Sequence, residues 1–185
     1  MEIPKELSKN FFYYKDIVYS KMRYYLQPYY NISYNVSQIN DNIFISDLPS
    51  AFNIIRMKED GITHVLCVIM GMDPLYPDDF TYKNIHISDI ESEDLHIYIN
   101  ECVKYIDDVV KNNGKILVHC SYGISRSASM VIAYFIKNGM SYDEAYNFVK
   151  SKRNIIEPND GFKEQLRSLE KETKGLSGEL SGLSE

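Results

Sequence analysis

In the stretch ILVHCSYGISRSAS, residues 116–129, an apolar run ends in His119 and Cys120, and an arginine, Arg126, follows the cysteine by six positions. Between them lie Ser121, Tyr122, Gly123, Ile124 and Ser125, which are small or uncharged. Those types at that spacing suit the capture of a tetrahedral dianion. Consecutive backbone N–H groups curled around a glycine at a helix N-terminus converge on an oxyanion without a charged side chain. Gly123 permits the curl. Arg126 can grip two phosphate oxygens at once, which a lysine cannot. The same positive potential should make Cys120 a thiolate, and hence a nucleophile, near neutral pH. The plainer alternative is a structural turn with an incidental cysteine, and the joint spacing of His, Cys, Gly, Arg and Ser127 weighs against it.

The elements around the loop fit the chemistry. KILVH before it reads as a strand, and a helix follows over about 127–137, closed by Gly139. Upstream, YNVSQI and NIFIS read as strands about an NDN turn, and HVLCVI as a buried strand. Ser50 is expected to cap a helix over AFNIIRMKED, residues 51–60, that Gly61 ends. YKNIHI is another strand, and residues 93–112 carry one apolar helical stripe. Ser141 and Glu144 form a capping box for a helix to about Lys150, and EPNDGFKEQLRSLEK reads as a last helix. The expected fold is therefore α/β: a central, mainly parallel sheet with helices on both faces and the loop between a strand and a helix. Ligands in such sheets bind beyond the carboxyl ends of the strands, where this loop lies.

The 185 residues suit one domain, with 44% hydrophobic and 25% charged residues. No apolar run is long enough to span a bilayer, so no membrane span is expected. A net charge of −6 argues against nucleic acid as a partner. Cys67, Cys102 and Cys120 have no paired spacing, which fits a reducing compartment; the cytoplasm is expected, with the nucleus left open. Cys67 and Cys102 read as core residues. Residues 1–30 read as an aromatic-rich helical extension, its helix over 5–27, open to a docking or dimer contact; 31–172 as the catalytic domain; and 173–185 as a disordered Gly/Ser-rich tail.

HCSYGISRS resembles the signature of the cysteine-based protein tyrosine phosphatases, and the compact chain is most similar to their dual-specificity branch. INDNIFISDLPSAFN, DGITHVLCV, HISD and RNIIEPNDGFKEQL also match in order and spacing, so the resemblance covers about residues 33–170. It implies that Cys120 attacks phosphorus to form a phosphocysteine and that Arg126 binds the phosphate along the backbone of Ser121, Tyr122, Gly123, Ile124 and Ser125. Ser127 would hydrogen-bond the thiolate, and His119 would hold the loop backbone; read without the family, His119 is equally a satisfied histidine at a strand end. Asp89, 31 residues before Cys120, stands at the general-acid position. Alone, an aspartate in an acidic run is more often solvated surface. No metal or organic cofactor is implied. Ser46 and Asp47 stand where the family often has Gly, and Asn154 where Pro is common.

The loop carries no Lys of the kind that phosphoinositide enzymes use. Tyr122 and Ile124 would line a semi-apolar rim suited to phosphotyrosine. A phosphoprotein substrate, carrying phosphotyrosine, phosphoserine or phosphothreonine, is therefore expected. The alternatives are a phosphoprotein-binding scaffold with little turnover, or a phosphatase of phosphoinositide, RNA or glucan.

Overall fold

The computed structural model describes the backbone of residues 33–181 and the side chains of residues 33–175. The expected helix over residues 5–27, with its docking or dimer contact, lies outside the described residues. The first two strands, β1 (Val36–Gln38) and β2 (Ile43–Ser46), form an antiparallel pair. Asn40 makes the turn between them: its Oδ1 accepts from the amides of Asn42 (3.0 Å) and Ile43 (2.8 Å). Then follow α1 (Leu48–Ala51), α2 (Ile54–Glu59), β3 (His64–Val68), β4 (Thr81–Ile85), α3 (His96–Lys111) and β5 (Ile116–His119). The chain continues through α4 (Arg126–Lys137), α5 (Tyr142–Lys152) and α6 (Asp160–Ser181).

The sheet order is β1-β2-β5-β3-β4, and every pair except β1/β2 is parallel. β5 is therefore central, with Leu117 paired to Phe44 on one side and to Val65 on the other. Alternation sends Ile43, Ile45, Leu66, Ile116 and Val118 into a core shared with α3, α4, α5 and α6. Phe44, Val65 and Leu117 point the other way, onto Ala51 and Met57 of α1 and α2. Both faces are thus covered, which is why the strands read as continuous apolar runs. α4 is buried at every position from Arg126 to Ile136, so the helix behind the loop is the core of the domain.

Three local expectations change. The helix expected over 51–60 is two helices, and Asp47, not Ser50, caps the first: Asp47 Oδ1 accepts from the Ser50 amide at 2.9 Å. Asn53 breaks the run because its Oδ1 takes the Arg56 amide (3.2 Å) and starts a second helix. At the C-terminus, α6 runs to Ser181, so the tail expected to be disordered from 173 is helical over most of its length. Thr173 Oγ1 donates to Leu169 O, and Lys174 pairs with Glu170 one turn back, at 2.6 Å. The sequence there lacks Pro, and two glycines alone cost only about 1 kcal/mol each in a helix.

Candidate active site

β5 delivers His119 to its end; Cys120–Ser125 then turn into α4, and Arg126 is its first residue. What shapes the turn is a set of donors around its outside. The Ser121 carbonyl accepts from the Leu48 amide (3.2 Å), and that of Ile124 from the Glu157 amide (2.9 Å). The Gly123 carbonyl accepts from Arg153 Nε (2.8 Å), and that of Ser125 from the Ser129 amide and hydroxyl (2.8 and 2.9 Å). A trans peptide directs its N–H opposite to its C=O. With those carbonyls held outward, the amides of Tyr122, Ile124, Ser125 and Arg126 face the concavity, beside the N-terminus of α4. The Gly123 amide joins them and donates to Cys120 Sγ at 3.2 Å. Gly123 has φ +67°, and a Cβ there would lie 2.6 Å from the Ser46 carbonyl oxygen, so the curl requires glycine.

Cys120 is 1% exposed, and its sulfur also lies 3.3 Å from Ser127 Oγ. Arg126 Nη2 donates to Ser121 Oγ (2.9 Å), Nη1 reaches the Ile87 carbonyl (3.4 Å), and Nε faces Asp89 Oδ2 at 3.6 Å. The fork is thereby fixed between Ser121, the Ile87 carbonyl and Asp89. Asp89 comes from the loop after β4, and Oδ1 accepts from Ser125 Oγ (2.7 Å) and from Asn159 Nδ2 (3.0 Å). Its neighbours in the acidic run do other things: Asp94 accepts from the His96 amide (3.0 Å), and Glu91 is exposed. Tyr122 is 52% exposed, while Ile124 is half-buried.

His119 is fully buried and neither ring nitrogen has a hydrogen-bond partner of good geometry. Burial pushes its pKa down to about 4; the Cys120 backbone pulls the other way, and the charge of Arg126 pushes further down. It is a neutral imidazole at the strand end. Cys102 lies in the main core with its thiol pushed up to about 12, chiefly by burial, which keeps it protonated and unreactive. Cys67 shares a small buried cluster with Cys120, Leu48, Phe52, Ile69 and Met72.

Two residues absent from the sequence reading complete the site. Asn159 is the first residue before α6: its Oδ1 accepts from the Phe162 amide (2.9 Å) while its Nδ2 holds Asp89. The PNDG segment signalled a cap, though nothing in it signalled the aspartate. Arg153, at the end of α5, is buried against the loop; it opens the stretch RNIIEPNDGFKEQL, in which nothing signalled this contact. Among the described residues, no three His, Cys, Asp or Glu side chains gather as metal ligands would, and no helix is long and apolar enough to cross a membrane.

A family model described as "Dual specificity phosphatase, catalytic domain" matches residues 43–172. Dual specificity protein phosphatase 1B of Arabidopsis thaliana is 41% identical over 142 residues, which is 76% of this chain and 85% of that protein. Protein phosphatase Slingshot homolog 1 of Homo sapiens is 40% identical over 135 residues, 72% of this chain but 13% of that much longer protein. Among solved structures, the human tyrosine phosphatase-like serine/threonine/tyrosine-interacting protein superposes with a TM-score of 0.71 at 32% identity, covering 75% of this chain and 97% of that one. The Yvh1 phosphatase domain from Chaetomium thermophilum superposes with a TM-score of 0.65 at 28% identity, covering 72% and 94%.

Proposed function

The chain belongs to the dual specificity phosphatase family, and from that premise we propose how it hydrolyses phosphate esters of protein tyrosine, serine and threonine: by way of a phosphocysteine on Cys120. The observation that carries the mechanism is a loop whose carbonyls are held from outside while the Gly123 amide donates to Cys120 Sγ, with Arg126 opening the helix behind it. In the first step Cys120 Sγ attacks phosphorus; the S–P bond forms and the P–O bond to the substrate breaks. The amides and Arg126 hold the three equatorial oxygens, where charge is spread in the transition state. Asp89, held at the loop by Ser125 and Asn159, protonates the departing phenoxide or alkoxide oxygen. In the second step a water attacks phosphorus and Asp89 takes its proton. The S–P bond breaks, and Ser127 Oγ, 3.3 Å from the sulfur, donates to the leaving thiolate. Inorganic phosphate is the product.

The protein substrate is supported by the exposed Tyr122 and half-buried Ile124 of a loop that carries no lysine. We assign the catalytic unit to residues 31–172, which the matched span of 43–172 supports. Cys67, Cys102 and Cys120 form no disulfide among the described residues, which suits a reducing compartment, the cytoplasm or the nucleus, and a signalling role there. Phosphate release from peptides carrying phosphotyrosine, phosphothreonine and phosphoserine, set against phosphoinositide vesicles, tests the substrate. Release from the peptides is expected. Release from the vesicles alone would move the substrate to lipid, and peptide binding without release would make the protein a scaffold.

A further inference from the structure

Among the described residues, Arg153 is a buried cation without a paired carboxylate. It is 2% exposed, yet its hydrogen bonds all go to neutral groups: Nε to the Gly123 carbonyl (2.8 Å), and Nη1 to Ser37 Oγ (3.1 Å) and to Asn35 O and Oδ1 (3.3 Å each). Nη2 has no hydrogen-bond partner among the described residues and lies against the loop, 2.7 Å from where a Cβ on Gly123 would stand. Among the described residues it forms no ion pair, whereas the other loop arginine, Arg126, faces Asp89. A cation removed from water is costly to keep when no carboxylate is paired to it directly. Burial accordingly pulls the Arg153 pKa down, against the negative charges of Asp47 and then Cys120, which pull it up. The anions this site is built to hold, a thiolate and a phosphate, lie on the other side of the peptide that Arg153 grips. Of the donors that hold the loop carbonyls from outside, Arg153 is the charged one.

Resting on the phosphatase reading above, we propose that Arg153 is a positioning residue for the reaction. It turns the Gly123 carbonyl outward, so that the Ile124 amide faces the phosphate, and its buried charge favours the anionic sulfur and the bound oxyanion without touching either. A purely structural tie between β1, the loop and α5 would need the hydrogen bonds and not the charge.

Arg153→Gln removes the charge and most of the fork, and Arg153→Lys keeps the charge alone. Three readouts apply to full-length protein: kcat/KM on an aryl phosphate, competitive binding of tungstate, and the rate of iodoacetamide alkylation of Cys120. For Arg153→Gln with a cooperative melt, the expectation is about a tenfold loss in kcat/KM and in tungstate affinity, and alkylation slowed about threefold or more. Arg153→Lys should recover alkylation to within about twofold of wild type but only part of kcat/KM. A folded Arg153→Gln protein with wild-type tungstate affinity and alkylation would overturn the proposal, even if turnover fell. If the Gln variant does not fold, the Lys variant decides: reduced kcat/KM with alkylation retained supports the proposal, and wild-type kcat/KM overturns it. Tungstate binding and alkylation need no turnover. An inactive wild type would thus count against the phosphatase reading, while unchanged readouts in the variant count against the role of Arg153.

Discussion

Asp89 reaches the loop from a segment that is acidic and polar in sequence, and what singles it out is who holds it. Ser125 and Asn159 take Oδ1, which leaves Oδ2 near Arg126 at 3.6 Å and the side chain 31% exposed to an incoming ester. Asp89→Ala should lower kcat on phosphopeptides by about 10²–10⁴-fold while phosphopeptide binding persists, as stopped-assay rates and a binding titration would report. Full activity in that variant would remove Asp89 from the mechanism. Asn159→Ala should cost less, because Ser125 still holds the carboxylate. His119 makes a separate prediction about stability. Neutral in the fold with a pKa near 4, against an ordinary 6.5, it binds a proton in the unfolded chain first. Its contribution is therefore complete above about pH 6.5 and is lost as pH falls toward 4, up to about 3 kcal/mol. Thermal melts at pH 7.5 and pH 5 should show a smaller drop for His119→Gln than for wild type; equal drops would contradict this. The spacing of Cys120 and Arg126 was legible in the sequence because one loop must hold both. Asp89 needed the family pattern; Asn159 and Arg153 lie in the matching stretch RNIIEPNDGFKEQL, but contacts across 70 and 30 residues leave no local pattern that shows what they hold.

At the scale of elements, strands and caps were readable where periodicity and capping chemistry act locally. The NDN turn and the Ser141–Glu144 box are present as expected, the latter with both reciprocal bonds. Residues 51–60 were not readable as two helices, because Asn53 and Asp47 compete for backbone amides that propensity alone assigns to one helix. The start of α6 shows how tightly elements are set against the acid loop. A Cβ on Gly161 would stand 2.0 Å from the Glu91 carbonyl oxygen, so Gly161→Ala must push apart α6 and the segment that carries Asp89. We expect that variant to lose at least about tenfold in kcat, consistent with displaced catalytic groups. The contrasting change is Ser141→Ala, which opens the capping box of α5 and should cost about 1 kcal/mol in a denaturant melt with kcat unchanged. If both variants lost stability alone, the α6 contact would be irrelevant to catalysis.

At the scale of the molecule, the parallel order around β5 explains why one loop can be so fully braced. The strand is central, the helix behind the loop is the core, and donors arrive from α1, α5 and the segment before α6. The alternation of strands and helices foretold that architecture, and with it the site at the carboxyl end of the strands. It could not foretell the length of α6, since a glycine- and serine-containing tail and a helix differ there by only a few kcal/mol of propensity. In the proposed mechanism all of this bracing serves one sulfur. Hydrolysis of a generic aryl phosphate by wild type and Cys120→Ser, compared at equal folded concentration, is the most direct test. Turnover by wild type and none above background in Cys120→Ser is the predicted result; equal rates in the two proteins would contradict catalysis through a phosphocysteine.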